Sequence, residues 1–76
     1  MRVEYSKHAR QRMRQRGITD SEVRQCLSNP TLRTVTAKGA CYMAHLGKGE
    51  LKVVVALDQD TDADKYVITT MWRGRR

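Results

Sequence analysis

The sequence predicts an α+β fold in which two N-terminal helices are followed by a four-stranded antiparallel sheet. Before Pro30 the apolar residues have helical spacing, and two segments carry capping residues. After Pro30, four segments rich in β-branched and aromatic residues alternate with short turns. Such turns are too short for the crossovers that parallel neighbours need, so we expect an antiparallel meander. With 76 residues, the chain is expected to form a single domain, residues 1–76.

The first helix is predicted at residues 7–16. Ser6 is a favourable N-cap, the segment has no proline or β-branched residue, and Gly17 suits the left-handed position that ends a helix. Residues 2–5 precede it as a candidate edge strand.

The second helix is predicted at residues 20–28. Thr19 and Glu22 have the spacing of a capping box, and Pro30 prevents the helix from continuing. Its apolar face is formed by Val23, Cys26 and Leu27.

The sheet is predicted from four segments with strand composition, and the run "VVVAL" indicates a central strand because it is apolar on both faces. The predicted strands are residues 31–37, 40–46, 50–57 and 65–72, followed by a basic tail at residues 73–76. The acidic segment "DQDTDAD" lacks the glycine and the distal glutamate of an EF-hand loop, so a hairpin turn is the better interpretation.

The charge balance indicates a polyanionic partner. The chain has 15 Lys and Arg against 8 Asp and Glu, a net charge of +7 and a pI near 10.0. RNA or DNA is the first expectation, and membrane binding is not expected because the basic helix has only Ala9 and Met13 as apolar positions. The N-terminus has no apolar signal region, which favours a cytoplasmic protein. Cys26 and Cys41 lack metal-ligand spacing, so we expect reduced thiols, no metal and no cofactor.

The first helix gathers cations along two sides. With His8 at zero, Arg12 lies at about 40° and Arg16 at about 80°, beside the apolar stripe; these three residues are called the ridge. On the other side lie the outer cations, Lys7, Arg10 and Arg14. The helix has no acidic residue, so like charges cost about 0.2–0.5 kcal/mol per pair, which a bound polyanion would offset. The alternative is a solvated basic face without a ligand.

Residues 6–27 resemble the opening of a family of small bacterial domains, the domain of unknown function 4258 group. The shared pattern is His-Ala-x-x-Arg-Met-x-x-Arg-Gly-Ile followed by a helix with Val and Leu, and it falls here on His8, Ala9, Arg12, Met13, Arg16, Gly17, Ile18, Val23 and Leu27. That family is placed near the RelE-like, BECR-fold toxins, whose members cleave RNA. The resemblance implies a metal-independent endoribonuclease toxin of a toxin–antitoxin type system, with RNA and an acidic antitoxin-like protein as partners.

The expected chemistry is RNA cleavage by the adjacent 2′-hydroxyl, which needs proton transfer and stabilisation of phosphate charge. His8 is the candidate acid or base, and Arg12 and Arg16 are candidates for holding phosphate oxygens. In the last strand, Tyr66, Ile68, Thr70 and Trp72 are expected to share a face, so that Thr70 or Tyr66 donates a hydrogen bond and Trp72 stacks on a base. The candidate catalytic residues are His8, Arg12, Arg16, Thr70 and Tyr66, and the candidate nucleic-acid-binding residues are Lys7, Arg10, Arg14, Trp72, Arg73 and Arg75.

A second hypothesis keeps the fold without the chemistry. The ridge contains no Glu or Asp and no second acid or base beside His8, which favours a non-catalytic module that binds nucleic acid or protein. In that case Tyr66 and Trp72 are packing residues. His45 has no basic neighbours in sequence and is expected on a strand surface. The sequence does not specify an oligomeric state.

Overall fold

Seven elements make up the fold in a computed structural model that describes residues 2–37, 39–47, 49–56 and 65–73. In chain order they are β1 (Val3–Tyr5), α1 (Lys7–Arg16), α2 (Asp20–Ser28), β2 (Leu32–Thr36), β3 (Gly39–Leu46), β4 (Gly49–Val55) and β5 (Lys65–Arg73). Both helices occupy the residues at which the sequence places them. Each is capped as its sequence indicates, α1 by Ser6 and α2 by a capping box between Thr19 and Glu22.

The sheet differs from the prediction. It has five strands in the order β1-β5-β4-β3-β2, and β1 pairs in parallel with β5 while the other pairs are antiparallel. The predicted four-stranded antiparallel sheet is therefore wrong. The candidate edge strand at residues 2–5 is present as β1, which has three residues. A strand this short shows no hydrophobic periodicity from which its neighbour in the sheet could be predicted. The connection between the parallel strands β1 and β5 is formed by both helices and the other three strands, which lie between them in sequence.

Both helices cover the same face of the sheet. α1 packs mainly on β5 and β1, and α2 packs on β3 and β4. The strand side chains buried beneath them are Ala40, Tyr42, Ala44, Leu51, Val53, Val55, Val67 and Thr70. The helices and the loop between them contribute Ala9, Ile18, Val23, Cys26 and Leu27. β2 extends beyond the helices, and all five of its residues are exposed.

A β-bulge in β5 reverses its side-chain alternation. Val55 pairs with Val67, whereas Val54 pairs with Thr69, so β5 has one extra residue at Ile68. Thr70 therefore shares the helix-covered face with Val67, and Tyr66 lies on the opposite face. The predicted face shared by Tyr66, Ile68, Thr70 and Trp72 is wrong, because it assumed an uninterrupted period of two.

Ser6 joins the start of α1 to this bulge, and we call this set of contacts the Ser6 junction. The Ser6 amide donates to the Val67 carbonyl at 2.9 Å, and its hydroxyl donates to the Ile68 carbonyl at 2.8 Å. The same hydroxyl accepts the Ala9 amide at 3.0 Å as the helix N-cap. One short side chain thus begins the helix and fixes it to β5.

A second polar contact connects β1 to α2. The Tyr5 hydroxyl donates to the Asp20 carboxylate, which also accepts Arg24 Nε at 2.7 Å. These two hydrogen bonds, from Tyr5 first and then from Arg24, hold the pKa of Asp20 below its usual value. Burial and the neighbouring carboxylate raise the pKa of Tyr5, which therefore remains a hydrogen-bond donor at neutral pH.

Ser6→Ala is expected to lower the free energy of unfolding by about 1–2 kcal/mol, because it removes an N-cap and a hydrogen bond to β5 together. Urea denaturation measures the loss. Ser21→Ala is the matched control, since Ser21 is exposed within α2 and its replacement should change stability by less than about 0.5 kcal/mol. Equal effects of the two substitutions would contradict the Ser6 junction.

The Tyr5–Asp20 contact makes part of the stability dependent on pH. Because the folded pKa of Asp20 is lowered, its contribution is complete above the ordinary aspartate pKa of about 3.9 and is lost as pH falls through the lower folded value. The urea midpoint of the wild type should therefore exceed that of Tyr5→Phe at pH 7, and the difference should shrink as pH falls below the ordinary aspartate pKa and through the lower folded pKa of Asp20. A difference that stays constant from pH 7 to pH 2 would contradict this role.

Candidate nucleic-acid interface

The ridge residues lie along the accessible side of α1. His8 and Arg16 are exposed and Arg12 is half-buried. Arg12 Nε donates to His8 Nε2 across a long 3.4 Å contact, and Arg12 Nη1 donates to Gln15 Oε1 at 3.2 Å. His8 Nε2 can accept this contact only when it carries no proton. The structure thus brings His8 and Arg12 together, with the imidazole available to solvent.

Arg16 is connected to the last strand through its backbone. Its carbonyl accepts the indole N–H of Trp72 at 3.1 Å, and the half-buried Trp72 ring packs against the core. Gly17 follows with φ at +65°, and its amide donates to the Met13 carbonyl. Trp72, for which the sequence leaves base stacking and packing as alternatives, packs against the core and fixes the C-terminal end of α1.

The outer cations occupy the solvent side of the same helix. Lys7, Arg10 and Arg14 are all exposed, and together with Gln11 they line a shallow depression of about 350 Å³. The Arg10 guanidinium lies 5.9 Å from the centroid of the Tyr5 ring, a cation–π distance. Arg10 is thus oriented by a neighbouring strand, whereas the depression itself is formed by residues of one helix.

The cations of α1 have no carboxylate partner within the part of the chain that the structure describes. The ion pairs there are Arg2–Glu4 at 3.4 Å, Arg24–Asp20 at 2.7 Å and His45–Glu50 at 3.6 Å. His45 is exposed on β3, on a strand surface as predicted. The carboxylates of these ion pairs thus lie beside other cations, and the six basic side chains of α1 remain available to an external anion.

The two candidate catalytic residues of β5 lie on different faces of the sheet. Thr70 is 1% exposed, and its Oγ1 has no hydrogen-bond partner among the described residues. Tyr66 lies on the opposite face of the sheet because of the bulge. The predicted contributions of the Arg73 side chain and of Arg75 lie outside the described residues.

A further polar group, which the sequence interpretation missed, surrounds Tyr42. Arg33 Nε donates to the Tyr42 hydroxyl at 3.1 Å, with the guanidinium 5.4 Å from the ring centroid. Lys65 Nζ lies 5.8 Å from the same centroid. We call these three residues the Tyr42 cluster. The Arg33 hydrogen bond is the main cause of a lowered Tyr42 pKa, and Lys65 adds to it.

The sequence indicates the β2–β3 hairpin but not the register on which the Tyr42 cluster depends. A two-residue turn at Lys38 and Gly39 would set Arg33 opposite Ala44. The observed register is shifted by two residues and sets Arg33 opposite Tyr42. Gly39 has φ at +149°, and a Cβ there would overlap the Val55 carbonyl oxygen, so this turn requires glycine. Lys65 comes from β5, two strands away in the sheet, and no pattern in the sequence indicates that contact.

Neither helix in the described part of the chain has the length and apolar composition needed to cross a bilayer.

Comparison with known proteins gives one informative result. Searches of curated proteins and of solved structures returned no significant match. The family model described as "Domain of unknown function (DUF4258)" matches residues 5–72, which extend from the end of β1 to Trp72 in β5. This match includes both helices and the hairpins of the sheet, so the chain belongs to the DUF4258 family.

Proposed function

We propose that the chain is an RelE-like RNA-binding domain that uses α1 as its RNA contact surface. The observation that carries the proposal is the set of six basic side chains on α1 without a carboxylate partner in the described residues. The first turn of α1 also contains no acidic residue, although the positive end of a helix favours one. A bound anion reduces the repulsion among the cations of α1 and also interacts favourably with the positive N-terminal end of the helix.

The ridge has the dimensions of a short strand of RNA. From His8 to Arg16 the helix rises about 12 Å, which corresponds to about three nucleotides of a stacked strand. The outer cations add a second line of charge, and Arg10 is held in place against Tyr5. Multiple phosphate contacts release counterions, so the affinity gained in this way depends on salt.

We propose further that this domain cleaves RNA without a metal, as an endoribonuclease toxin of a toxin–antitoxin type system. When Arg12 Nε turns from His8 Nε2 to a phosphate oxygen, this nitrogen takes the proton of the 2′-hydroxyl, whose oxygen attacks the adjacent phosphorus. The leaving 5′-oxygen takes a proton from water, and the hydroxide that remains takes the proton from His8. Arg12, in contact with His8, neutralises charge on the phosphate oxygens. Support comes from the family resemblance and from the accessible position of His8.

A non-catalytic binding module is the competing proposal, and one observation favours it. No second acid or base lies on the ridge, because Thr70 is buried and Tyr66 is on the other face of the sheet. In either case the cationic surface of α1 also suits an acidic antitoxin-like protein, which would compete with RNA for the same side chains.

RNA binding by α1 is expected to weaken with salt. For a single-stranded oligonucleotide, log K should fall with log salt by about 0.7 per phosphate contacted, and Arg12→Gln or Arg14→Gln should each reduce the slope by about one contact. Fluorescence anisotropy at several salt concentrations measures the slope. Arg24→Gln is the control, because Arg24 already pairs with Asp20. An affinity independent of salt would overturn the proposed interface.

Cleavage is tested with RNA in the presence of EDTA. His8→Ala should lower the cleavage rate by about 10²–10⁴, the usual contribution of a general acid or base, while leaving binding nearly unchanged. His45→Ala is the matched control, since His45 is an exposed histidine on β3, away from α1. If the wild type binds the RNA and leaves it intact, the enzyme proposal is wrong and the binding module remains.

Thr70→Val separates a structural from a chemical role for the buried hydroxyl. Because Thr70 Oγ1 has no hydrogen-bond partner in the described structure, removing it should leave the free energy of unfolding unchanged or raise it by up to about 1 kcal/mol. Urea denaturation and the cleavage assay are run on the same variant. Loss of cleavage without loss of stability would show that Thr70 takes part in the reaction, contrary to its buried position.

A further inference from the structure

The Tyr42 cluster is a second group of cations, built on the sheet rather than on α1. Its three members come from three different strands, Arg33 from β2, Tyr42 from β3 and Lys65 from β5. Tyr42 is only 6% exposed, so its ring is held by the core, while Arg33 is exposed and Lys65 half-exposed. A rigid hydroxyl is therefore flanked by two cations that solvent can reach.

Hydrogen-bond donors exceed acceptors in this cluster. Tyr42 Oη accepts Arg33 Nε, and an O–H remains to be donated. Arg33 has further N–H groups and Lys65 has three. Within the described residues, neither cation pairs with a carboxylate. The cluster therefore presents more hydrogen-bond donors than acceptors to a group that approaches from solvent.

The electrostatics of the cluster favour negative charge. Arg33 and Lys65 lower the pKa of Tyr42, which shows that both cations stabilise an anion at the position of its oxygen. An anion from solvent would receive the same stabilisation without requiring the phenol to ionise. Cation–π packing accounts for the two ring contacts, but it does not use these N–H donors.

We propose that Tyr42, Arg33 and Lys65 form an oxyanion site that binds a phosphate group. A phosphate has several acceptor oxygens, so it can receive the planar fork of Arg33, the ammonium of Lys65 and the Tyr42 hydroxyl from different directions. The phosphate belongs either to the backbone of RNA or to a small phosphorylated molecule. This inference does not depend on RNA binding by α1.

Titration of the full chain with inorganic phosphate, followed by NMR, tests the site. Arg33→Gln and Tyr42→Phe should each weaken phosphate binding about tenfold or more, the loss expected for a charge-assisted hydrogen bond. Lys52→Gln is the matched control, because it removes one cation from the opposite face of the same sheet and should leave binding unchanged. Urea midpoints confirm that each variant is folded.

A second measurement remains informative if a variant fails to fold. In the wild type, the absorbance of tyrosine is measured against pH with and without phosphate. Phosphate should move the earliest tyrosine ionisation to higher pH, because its negative charge disfavours a phenolate beside it. The proposal is overturned if phosphate neither binds the wild type nor shifts this titration, or if Lys52→Gln weakens binding as much as Arg33→Gln does.

An RNA oligonucleotide identifies the source of the phosphate. If RNA displaces inorganic phosphate and Arg33→Gln weakens RNA binding, the site holds a backbone phosphate. If RNA affinity is unchanged in Arg33→Gln while phosphate binding is lost, the ligand is a small phosphorylated molecule. NMR signals of Tyr42 and its sheet neighbours report phosphate at this site separately from the signals of α1, so failure of the α1 interface and failure of this site give different results.

Discussion

The Ser6 junction is the constraint on which the arrangement of the molecule depends. α1 contains almost no apolar surface, since Ala9 is its single fully buried residue, so packing alone gives little energy to hold it. Ser6 compensates by capping the helix and donating to the Ile68 carbonyl with the same hydroxyl. The bulge at Ile68 supplies this acceptor. At the other end, the Trp72 indole holds the Arg16 carbonyl.

This anchoring explains how a helix with so many cations remains on the sheet. Both ends of α1 are fixed through backbone carbonyls and a serine, so the side chains of the ridge and the outer cations do not have to stabilise the fold. Nearby, the hydrogen bond between Tyr5 and Asp20 connects β1 to α2. The Asp20 carboxylate pairs with Arg24 rather than with a cation of α1. The charge of α1 is therefore not neutralised by the carboxylates of the described ion pairs, which is the physical basis of the proposed RNA interface.

The two groups of cations have different physical character. On α1 the side chains are long and mostly exposed, which suits binding along a polyanion with little demand on geometry. In the Tyr42 cluster a buried ring holds one donor in place and two cations converge on it, which suits recognition of a single anionic group. The residues matched by the DUF4258 family model include both groups of cations, and the description of that family names no function for either.

The sequence by itself determined the two helices, their caps, the cationic sides of α1 and the presence of a hairpin after Pro30, because caps, periodicity and turns act over a few residues. The register of that hairpin, which pairs Arg33 with Tyr42, was decided by the folded sheet. Tertiary structure decided that β1 pairs in parallel with β5, since a three-residue strand finds its partner only through the folded sheet. It also decided the bulge at Ile68, which buries Thr70, moves Tyr66 to the other face and gives Ser6 its acceptor. The contact between Lys65 and Tyr42 across β4 was also decided by tertiary structure. It joins residues far apart in sequence, and local patterns carry no information about it.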